Sequence, residues 1–343
     1  MTYPIVYSGS NGDGEIIREP AKMSFTTTLN RTIHRVPVAA SGLMLGVAGE
    51  GLLLSSYGIV KNIFGTIAFL ILALLLLKMA FNGKDVIADL QDPSAAGGAF
   101  TFPMAIILLS VYVRPFQPSI AYCMFWIAII IHCVFIVTFT RKFVVHFTLE
   151  NIFPSTFIVY VGIAIISVVA PVFNVAWVGR IFFDISFIAY LILLPLVVYR
   201  ALTVKSVLEH PTNTIIGAPA SLCLVGYFHS FRAYNMLIIW ILTILSVIFL
   251  IYVLICMPRM MELKFNPAYS AFTFPFVICA NASGSVNGLL IKLHLGAPII
   301  NYIVYFEELL AFCFVTYVLA RYIIFFVNNG QMLSGNKLTA FKA

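Results

Sequence analysis

Long apolar stretches separated by short polar connections run through most of the chain. A helix that crosses the hydrocarbon core of a bilayer needs roughly 20 mostly apolar residues. Ten stretches approach this length, and they predict ten transmembrane helices near residues 36–56, 59–81, 96–113, 119–140, 152–173, 175–201, 214–230, 234–257, 266–286 and 298–327. The pattern predicts an all-α integral membrane protein with one ten-helix domain at 36–327. An N-terminal segment (1–35) and a C-terminal tail (328–343) flank it.

Composition agrees with a protein that uses lipid as its solvent. Hydrophobic residues make up 62% of the 343 residues and charged residues only 10%, against about 25% charged residues in a soluble domain. The six cysteines lie inside apolar stretches without a CxxC spacing, so we expect neither disulfides nor a metal site. No cofactor motif is present.

The basic residues lie mostly at the ends of apolar stretches. This arrangement indicates topology anchoring and contact with lipid headgroups rather than nucleic-acid binding. With the N-terminus inside, 14 of the 20 lysines and arginines fall on the inner side, 5 on the outer side and 1 within a span. The asymmetry predicts that both termini are cytoplasmic, which requires an even number of spans.

A proline recurs near the inner end of each odd-numbered stretch. These prolines are Pro37, Pro103, Pro154, Pro219 and Pro275. Proline removes a backbone donor, and the freed carbonyl is costly in lipid unless protein or water satisfies it. Prolines and small residues on alternate helices therefore favour an inner ring of odd helices shielded by an outer ring of even ones. The alternative is that prolines are simply common in membrane helices and small residues aid packing.

Three short motifs in order give the chain a family resemblance. They are residues 41–46 (SGLMLG), 101–104 (TFPM) and 265–275 (FNPAYSAFTFP). With these motifs, residues 34–327 resemble the family of tellurite-resistance proteins, C4-dicarboxylate/malate transporters and plant slow-type anion channels. The resemblance implies five helical hairpins in a quasi-fivefold arrangement around a central pore, one pore per subunit of a homotrimer, and a phenylalanine on the ninth helix that plugs the pore.

The resemblance also suggests site residues. Phe274 matches the plug best, with Phe272 and Phe276 as rivals, and Gly42 or Gly46 would face it. No lysine or arginine lies within an odd stretch, so favourable potential for an anion must come from freed backbone amides, hydroxyls and basic residues at the mouths. The predicted pore-lining residues are Pro37, Ser41, Thr101, Phe102, Pro103, Phe153, Pro154, Ser155, Pro219, Ser221, Thr273 and Pro275.

Glu50 does not belong to the family pattern. An ionised carboxylate on an inner helix would repel anions, and acidic residues within membranes are often functional. Glu50 is expected either to pair with Lys61 or Arg232, to be exposed at the pore mouth, or to carry a proton that affects transport or gating.

The functional prediction is a gated anion channel or transporter of the cell membrane. It would pass small inorganic anions or C4-dicarboxylates, with membrane lipid as its surroundings. The alternative is a proton-coupled C4-dicarboxylate/malate carrier. A membrane enzyme or receptor is a third hypothesis, but no phosphate-binding loop or catalytic triad favours an enzyme.

Overall fold

A computed structural model describes residues 33–145, 153–203 and 210–331. Within these ranges the chain forms ten helical segments and no strand. The predicted tails at 1–35 and 328–343 fall mostly outside the described residues and stay predictions. The segments are α1 (Ala40–Leu53), α2 (Ile59–Asp89), α3 (Pro93–Val113), α4 (Pro118–Val144), α5 (156–173), α6 (Ala176–Thr203), α7 (211–230), α8 (Met236–Glu262), α9 (Pro267–Lys292) and α10 (Pro298–Gln331).

Seven of these segments are long and apolar enough to cross a bilayer, counted over the described residues. They are α2, α3, α4, α6, α8, α9 and α10, which establishes a multi-pass helical membrane protein. The other three, α1, α5 and α7, are shorter or interrupted. Several helices also extend beyond their predicted ends. For example, α2 continues past residue 81 to Asp89 through a kink at Asn82, because helical hydrogen bonding can persist where the apolar pattern stops.

Four of the five odd-numbered helices are interrupted close to a proline, whereas α1 is continuous from Ala40 to Leu53. In α3 the helix breaks at residues 99–100, and α7 and α9 each begin with a 3₁₀ segment, at Pro211–Gly217 and Pro267–Phe272. Pro103, Pro219 and Pro275 then lie in the first turn of the helix that follows. Proline is tolerated there because the first-turn N–H groups have no partner within the helix. The remaining helix, α5, consists of four short helical pieces.

Burial separates the odd helices from the even ones. In the most apolar stretch of α3, 78% of the residues are buried, and in that of α9, 61%. The corresponding share is between 22% and 28% in α2, α4, α6, α8 and α10. Nearly every residue of α1 is buried, as is nearly every residue of the second part of α7. The even helices therefore present their apolar side chains to lipid, and the odd helices are covered by protein.

Contacts between the odd helices form a closed sequence. Helix α1 packs on α3, α3 on α5, α5 on α7, α7 on α9, and α9 returns to α1. Each even helix packs against the odd helix before it in the chain. Hydrogen bonds join the inner helices directly: Tyr112 Oη of α3 donates to the Ala48 carbonyl of α1 (2.7 Å), and Ser230 Oγ of α7 donates to the Ser167 carbonyl of α5 (2.7 Å).

Candidate functional site

The inner helices enclose a cavity of about 600 Å³. All five odd helices, with the residues that lead into them, contribute to its wall, and one further residue comes from the end of α6. Most of the wall is apolar and built from small side chains. The lining residues are Val38, Ala39, Gly42, Leu45, Asp92, Ser94, Ala95, Gly98, Thr101, Met104, Phe153, Ser155, Phe157, Ile158, Val161, Gly162, Arg200, His210, Thr212, Ile215, Ala218, Pro219, Leu222, Ala268, Ser270, Ala271, Phe274 and Pro275.

Seven predicted site residues border this cavity, and the others lie in the walls behind it. The seven are Gly42, Thr101, Phe153, Ser155, Pro219, Phe274 and Pro275. Gly46, Ser41, Phe102, Pro103, Pro154, Ser221 and Thr273 are buried but are not part of the lining, and partly buried Pro37 also lies outside it.

The predicted hydroxyls serve two different purposes. Thr101 borders the cavity, and its Oγ1 also lies 2.7 Å from Ser41 Oγ, which ties α3 to α1. Ser221 is turned away from the cavity, with its Oγ 2.6 Å from Ser246 Oγ of α8. The Thr273 hydroxyl donates to two backbone carbonyls, that of Ser270 in α9 (2.7 Å) and that of Gly42 in α1 (3.2 Å). Ser41, Ser221 and Thr273 therefore hold helices together.

Phe274 lies at the start of the regular part of α9, where the backbone changes direction. Thr273 just before it has a non-helical conformation (φ −98°, ψ −80°), which ends the 3₁₀ segment and sets the direction of the next side chain. The Phe274 side chain is only 7% exposed and still borders the cavity. An aromatic ring therefore lies at the boundary between the cavity and the packed core.

The two rival phenylalanines point elsewhere. Phe276 stacks on Phe314 of α10, with ring centroids 4.8 Å apart and the planes 17° from parallel. Phe272 is fully buried, packs edge-on against Tyr269 and also contacts Phe314 (6.2 Å). Neither ring is in the cavity wall. Of the three candidates, Phe274 alone borders the cavity.

Three glycines of α1 face the break in α9. A Cβ at Gly42 would be 2.8 Å from Ser270 Oγ, and one at Gly46 would collide with the Thr273 side chain. A Cβ at Gly49 would be 3.4 Å from Cδ2 of the Phe274 ring. The spacing of four and three residues places all three glycines on one helix face. Gly49 is therefore the glycine that contacts the ring, and the sequence prediction named only the other two.

Three charged or polar side chains from connections and helix ends border the cavity. The Arg200 guanidinium stands over the Phe153 ring, 4.2 Å from its centroid. Asp92 caps the start of α3 by accepting the Ala95 N–H (2.7 Å), and His210 Nδ1 accepts the Thr212 N–H (3.3 Å). Sequence analysis missed all three, because they come from connections and helix ends that meet only in the folded chain. We refer to Asp92, Arg200 and His210 as the mouth.

Glu50 lies one residue beyond Gly49 and is completely buried. Neither of its carboxylate oxygens has a hydrogen-bond partner. Among the described residues neither Lys61 nor Arg232 pairs with it, so the predicted ion pair is absent, and burial also contradicts exposure at a mouth. The Lys61 ammonium instead stands over the Tyr112 ring, 5.6 Å from its centroid.

Lipid-facing outer helices around a shielded inner set with an internal cavity define a multi-pass membrane protein with an interior passage. Residues 35–323 match the family model of the voltage-dependent anion channels (SLAC1), and the chain belongs to this family. The resemblance deduced from the short motifs is thereby confirmed, and the chain is an anion channel or transporter. Among curated proteins, none matches the chain.

Proposed function

We propose that the protein is a gated channel through which small anions pass along the axis of the inner helices, with the Phe274 ring as the gate. In this proposal the chain spans the membrane ten times, as five hairpins in a quasi-fivefold arrangement. The closed sequence of contacts among α1, α3, α5, α7 and α9 supports it. The observation that carries the proposal is the Phe274 ring at the inner boundary of the cavity, beside Gly49.

Elementary physics explains how such a ring controls flow. A phenyl ring in a narrow passage blocks water and ions sterically and by dewetting. Among the lining residues Arg200 carries a positive charge and Asp92 a negative one, so the attraction for anions comes mainly from hydroxyls and backbone amides along the wall. Weak, distributed attraction of this kind favours rapid passage over tight binding. The permeant class proposed is small inorganic anions together with C4-dicarboxylates, with no reaction catalysed.

The ends of the described chain support the proposed topology. Val38 and Ala39, just before α1, border the cavity, and so does Ala268 near the start of α9. Tyr322, close to the end of α10, donates a hydrogen bond to the Pro267 carbonyl (2.6 Å). The N-terminus of α1 and the C-terminus of α10 therefore lie at the same end of the bundle. The mouth is also at this end. This placement and the charge asymmetry support the proposal of an even number of spans in the cell membrane with both termini cytoplasmic. The family resemblance adds assembly as a homotrimer.

Replacement of the ring tests the proposal. Purified protein in liposomes is assayed for efflux of chloride, nitrate and malate under an imposed membrane potential. We expect Phe274→Ala to raise the flux by about tenfold or more, because the steric and dewetting barrier is removed. Phe276→Ala is the matched control, since it removes the same ring two residues away, outside the cavity wall.

An unchanged flux in correctly inserted Phe274→Ala, or an equal rise in both variants, would contradict the gate. The same assay separates a channel from a proton-coupled carrier. A channel gives flux that follows the membrane potential without saturating at low anion concentration, whereas a carrier gives saturable flux driven by a pH gradient.

A further inference from the structure

The buried carboxyl of Glu50 is the least explained polar group near the gate. Its side chain is 0% exposed and both oxygens are unpartnered. An ionised carboxylate buried without partners is far too costly to persist, so the group holds a proton in this conformation. A protonated carboxyl at this point makes no hydrogen bond and fills space that an apolar side chain would fill more stably. We therefore infer that the function of this carboxyl involves release of its proton.

The surroundings of Glu50 contain little that could hold a negative charge. From α10 the Glu308 carboxyl is close enough to interact electrostatically, and from α3 so is the Tyr112 hydroxyl. That hydroxyl already donates its proton to the Ala48 carbonyl. From α2, the Lys61 ammonium stands over the Tyr112 ring. Helix α10 also carries a second buried carboxyl, that of Glu307. From α9 the residues that face neighbouring Gly49 are apolar, namely Phe274 and Val277.

Position links the carboxyl to the gate. Successive residues in an α-helix are 100° apart around the axis, so Glu50 is turned away from the Phe274 ring that Gly49 contacts, and its carboxyl interacts with Glu308 of α10. Leu45, the last cavity-lining residue of α1, precedes Glu50 by about 7.5 Å along the axis. Glu50 therefore lies beyond the ring from the cavity, on the side opposite the mouth.

We propose that Glu50 is a proton-binding site that holds the gate closed while it is protonated. This inference rests on the proposed function, because it assigns a chemical ligand, the proton, to the gate described above. In the closed state α1 packs on α9 and α10 with the carboxyl neutral. When the Phe274 ring leaves Gly49, the packing of α1 against α9 and α10 loosens, and water that reaches Glu50 can solvate a carboxylate. Opening then releases a proton to the outer side.

Linkage sets the sign of the effect. The closed state binds the Glu50 proton more tightly than the open state, so acid favours closure and alkaline conditions favour opening. A tenfold difference in proton affinity between the two states changes the open-to-closed ratio by about tenfold across the titration. The mouth residues Asp92, Arg200 and His210 face the other side of the ring, so a change in external pH alone does not titrate them.

The test uses whole-cell current in cells that express the full chain, with external pH varied from about 5 to about 8. In the unmodified protein we expect the anion current to rise about tenfold over this range. Glu50→Gln, which is nearly the same size and cannot ionise, gives a small current that does not change with pH. Glu308→Gln is the matched control and keeps the pH dependence, since that carboxyl is only partly buried.

Two further variants separate this proposal from the gate itself. We expect Phe274→Ala to conduct without pH dependence, because the ring that the protonated carboxyl holds in place is absent. The double variant Phe274→Ala with Glu50→Gln should conduct equally well, and this result would show that a protein with glutamine at position 50 folds. Infrared spectra of the purified protein at neutral pH show a protonated-carboxyl band that loses intensity in Glu50→Gln, and buried Glu307 accounts for the part of the band that remains.

Three results overturn the proposal while leaving the gate intact. One is a flat pH profile of the unmodified protein although Phe274→Ala conducts. Another is a pH profile that Phe274→Ala retains, which would mean that Glu50 acts on the anion directly. The third is a protonated-carboxyl band whose intensity Glu50→Gln leaves unchanged. A Phe274→Ala variant that fails to conduct overturns the proposed function instead.

Discussion

Helices α3 and α4 form one hairpin but differ in how much of each is buried and in how regular the backbone is. Of the most apolar stretch, 78% is buried in α3 and 28% in α4. Helix α3 contains a break that follows two glycines and precedes Pro103. Helix α4 is continuous from Pro118 to a π-helical last turn that ends at Val144. The hydrophobicity required by the bilayer is common to both. The position within the bundle decides what else each helix can contain.

The difference teaches where a membrane protein can tolerate an irregular backbone. A broken helix exposes carbonyl and N–H groups, and lipid cannot satisfy them. In this chain the breaks of α3, α5, α7 and α9 lie in helices that other helices cover. Prolines also occur in the outer helices, at Pro195 and Pro258, but those helices stay continuous around them. Irregular backbone is thus concentrated in the helices that border the cavity and are covered by other helices.

The largest contrast should come from truncating one leucine on each type of helix. Leu109 of α3 is 0% exposed and Leu70 of α2 is 61% exposed. Leu109→Ala creates a cavity and should lower the free energy of unfolding by about 2–5 kcal/mol, whereas Leu70→Ala should change it by less than about 0.5 kcal/mol. Unfolding in detergent, followed by circular dichroism, measures both. Equal losses would mean that the inner and outer helices are not packed differently.

A smaller contrast is expected between two glycines. A Cβ at Gly46 collides with Thr273, while one at Gly83 meets nothing within 4 Å. Gly46→Ala should overpack the contact between α1 and α9 and destabilise the protein by about 1–3 kcal/mol. Gly83→Ala should be neutral or stabilising by up to about 1 kcal/mol. The same unfolding assay applies, and a harmless Gly46→Ala would show that α1 does not approach α9 this closely.

Hydrogen bonds provide the third contrast. Ser41 Oγ lies 2.7 Å from Thr101 Oγ1 in a buried contact between helices, whereas exposed Thr66 bonds with the Asn62 carbonyl of its own helix. Ser41→Ala leaves the Thr101 hydroxyl without this partner and should cost about 0.5–1.5 kcal/mol. Thr66→Ala should remain within about 0.5 kcal/mol of the unmodified protein. A thermal shift of similar size in both variants would refute the distinction.

The smallest effect concerns the mouth and pH. Partial burial lowers the pKa of His210, and the nearby Asp92 carboxylate opposes that shift. A lowered pKa means that the unfolded chain binds the proton more tightly, so stability falls slightly as the pH drops below the ordinary range of histidine. His210→Gln should remove this small dependence. Melting temperatures at neutral and mildly acidic pH measure it, and an identical acid loss in both proteins would exclude His210 as its source.

Much of this organisation could be read from the residues. The apolar stretches, the alternation of plain and small-residue helices, and the prolines at 37, 103, 154, 219 and 275 all follow local rules about lipid and backbone hydrogen bonds. The family follows from three short motifs, and the family model confirms it. These features depend on composition and spacing along the chain, so they need no knowledge of the fold.

The finer features could not be read in this way. Thr101 and Ser221 are both hydroxyls on inner helices, yet one borders the cavity and the other bonds with α8. Phe272, Phe274 and Phe276 alternate along the chain, and only the turn at Thr273 decides which ring enters the cavity wall. A break between 3₁₀ and α-helix changes the angular relation between neighbours, so helical periodicity cannot be extended across it.

By itself, the sequence determined three properties: that this protein is an integral membrane protein, which of its helices could be bent, and the family to which it belongs. Each of those properties is a sum over local preferences. Only the tertiary structure decided that Gly49 faces the Phe274 ring, that Asp92, Arg200 and His210 border one cavity, and that Glu50 has no hydrogen-bond partner. These outcomes depend on which faces of separate helices meet, and that depends on packing between residues far apart in the chain.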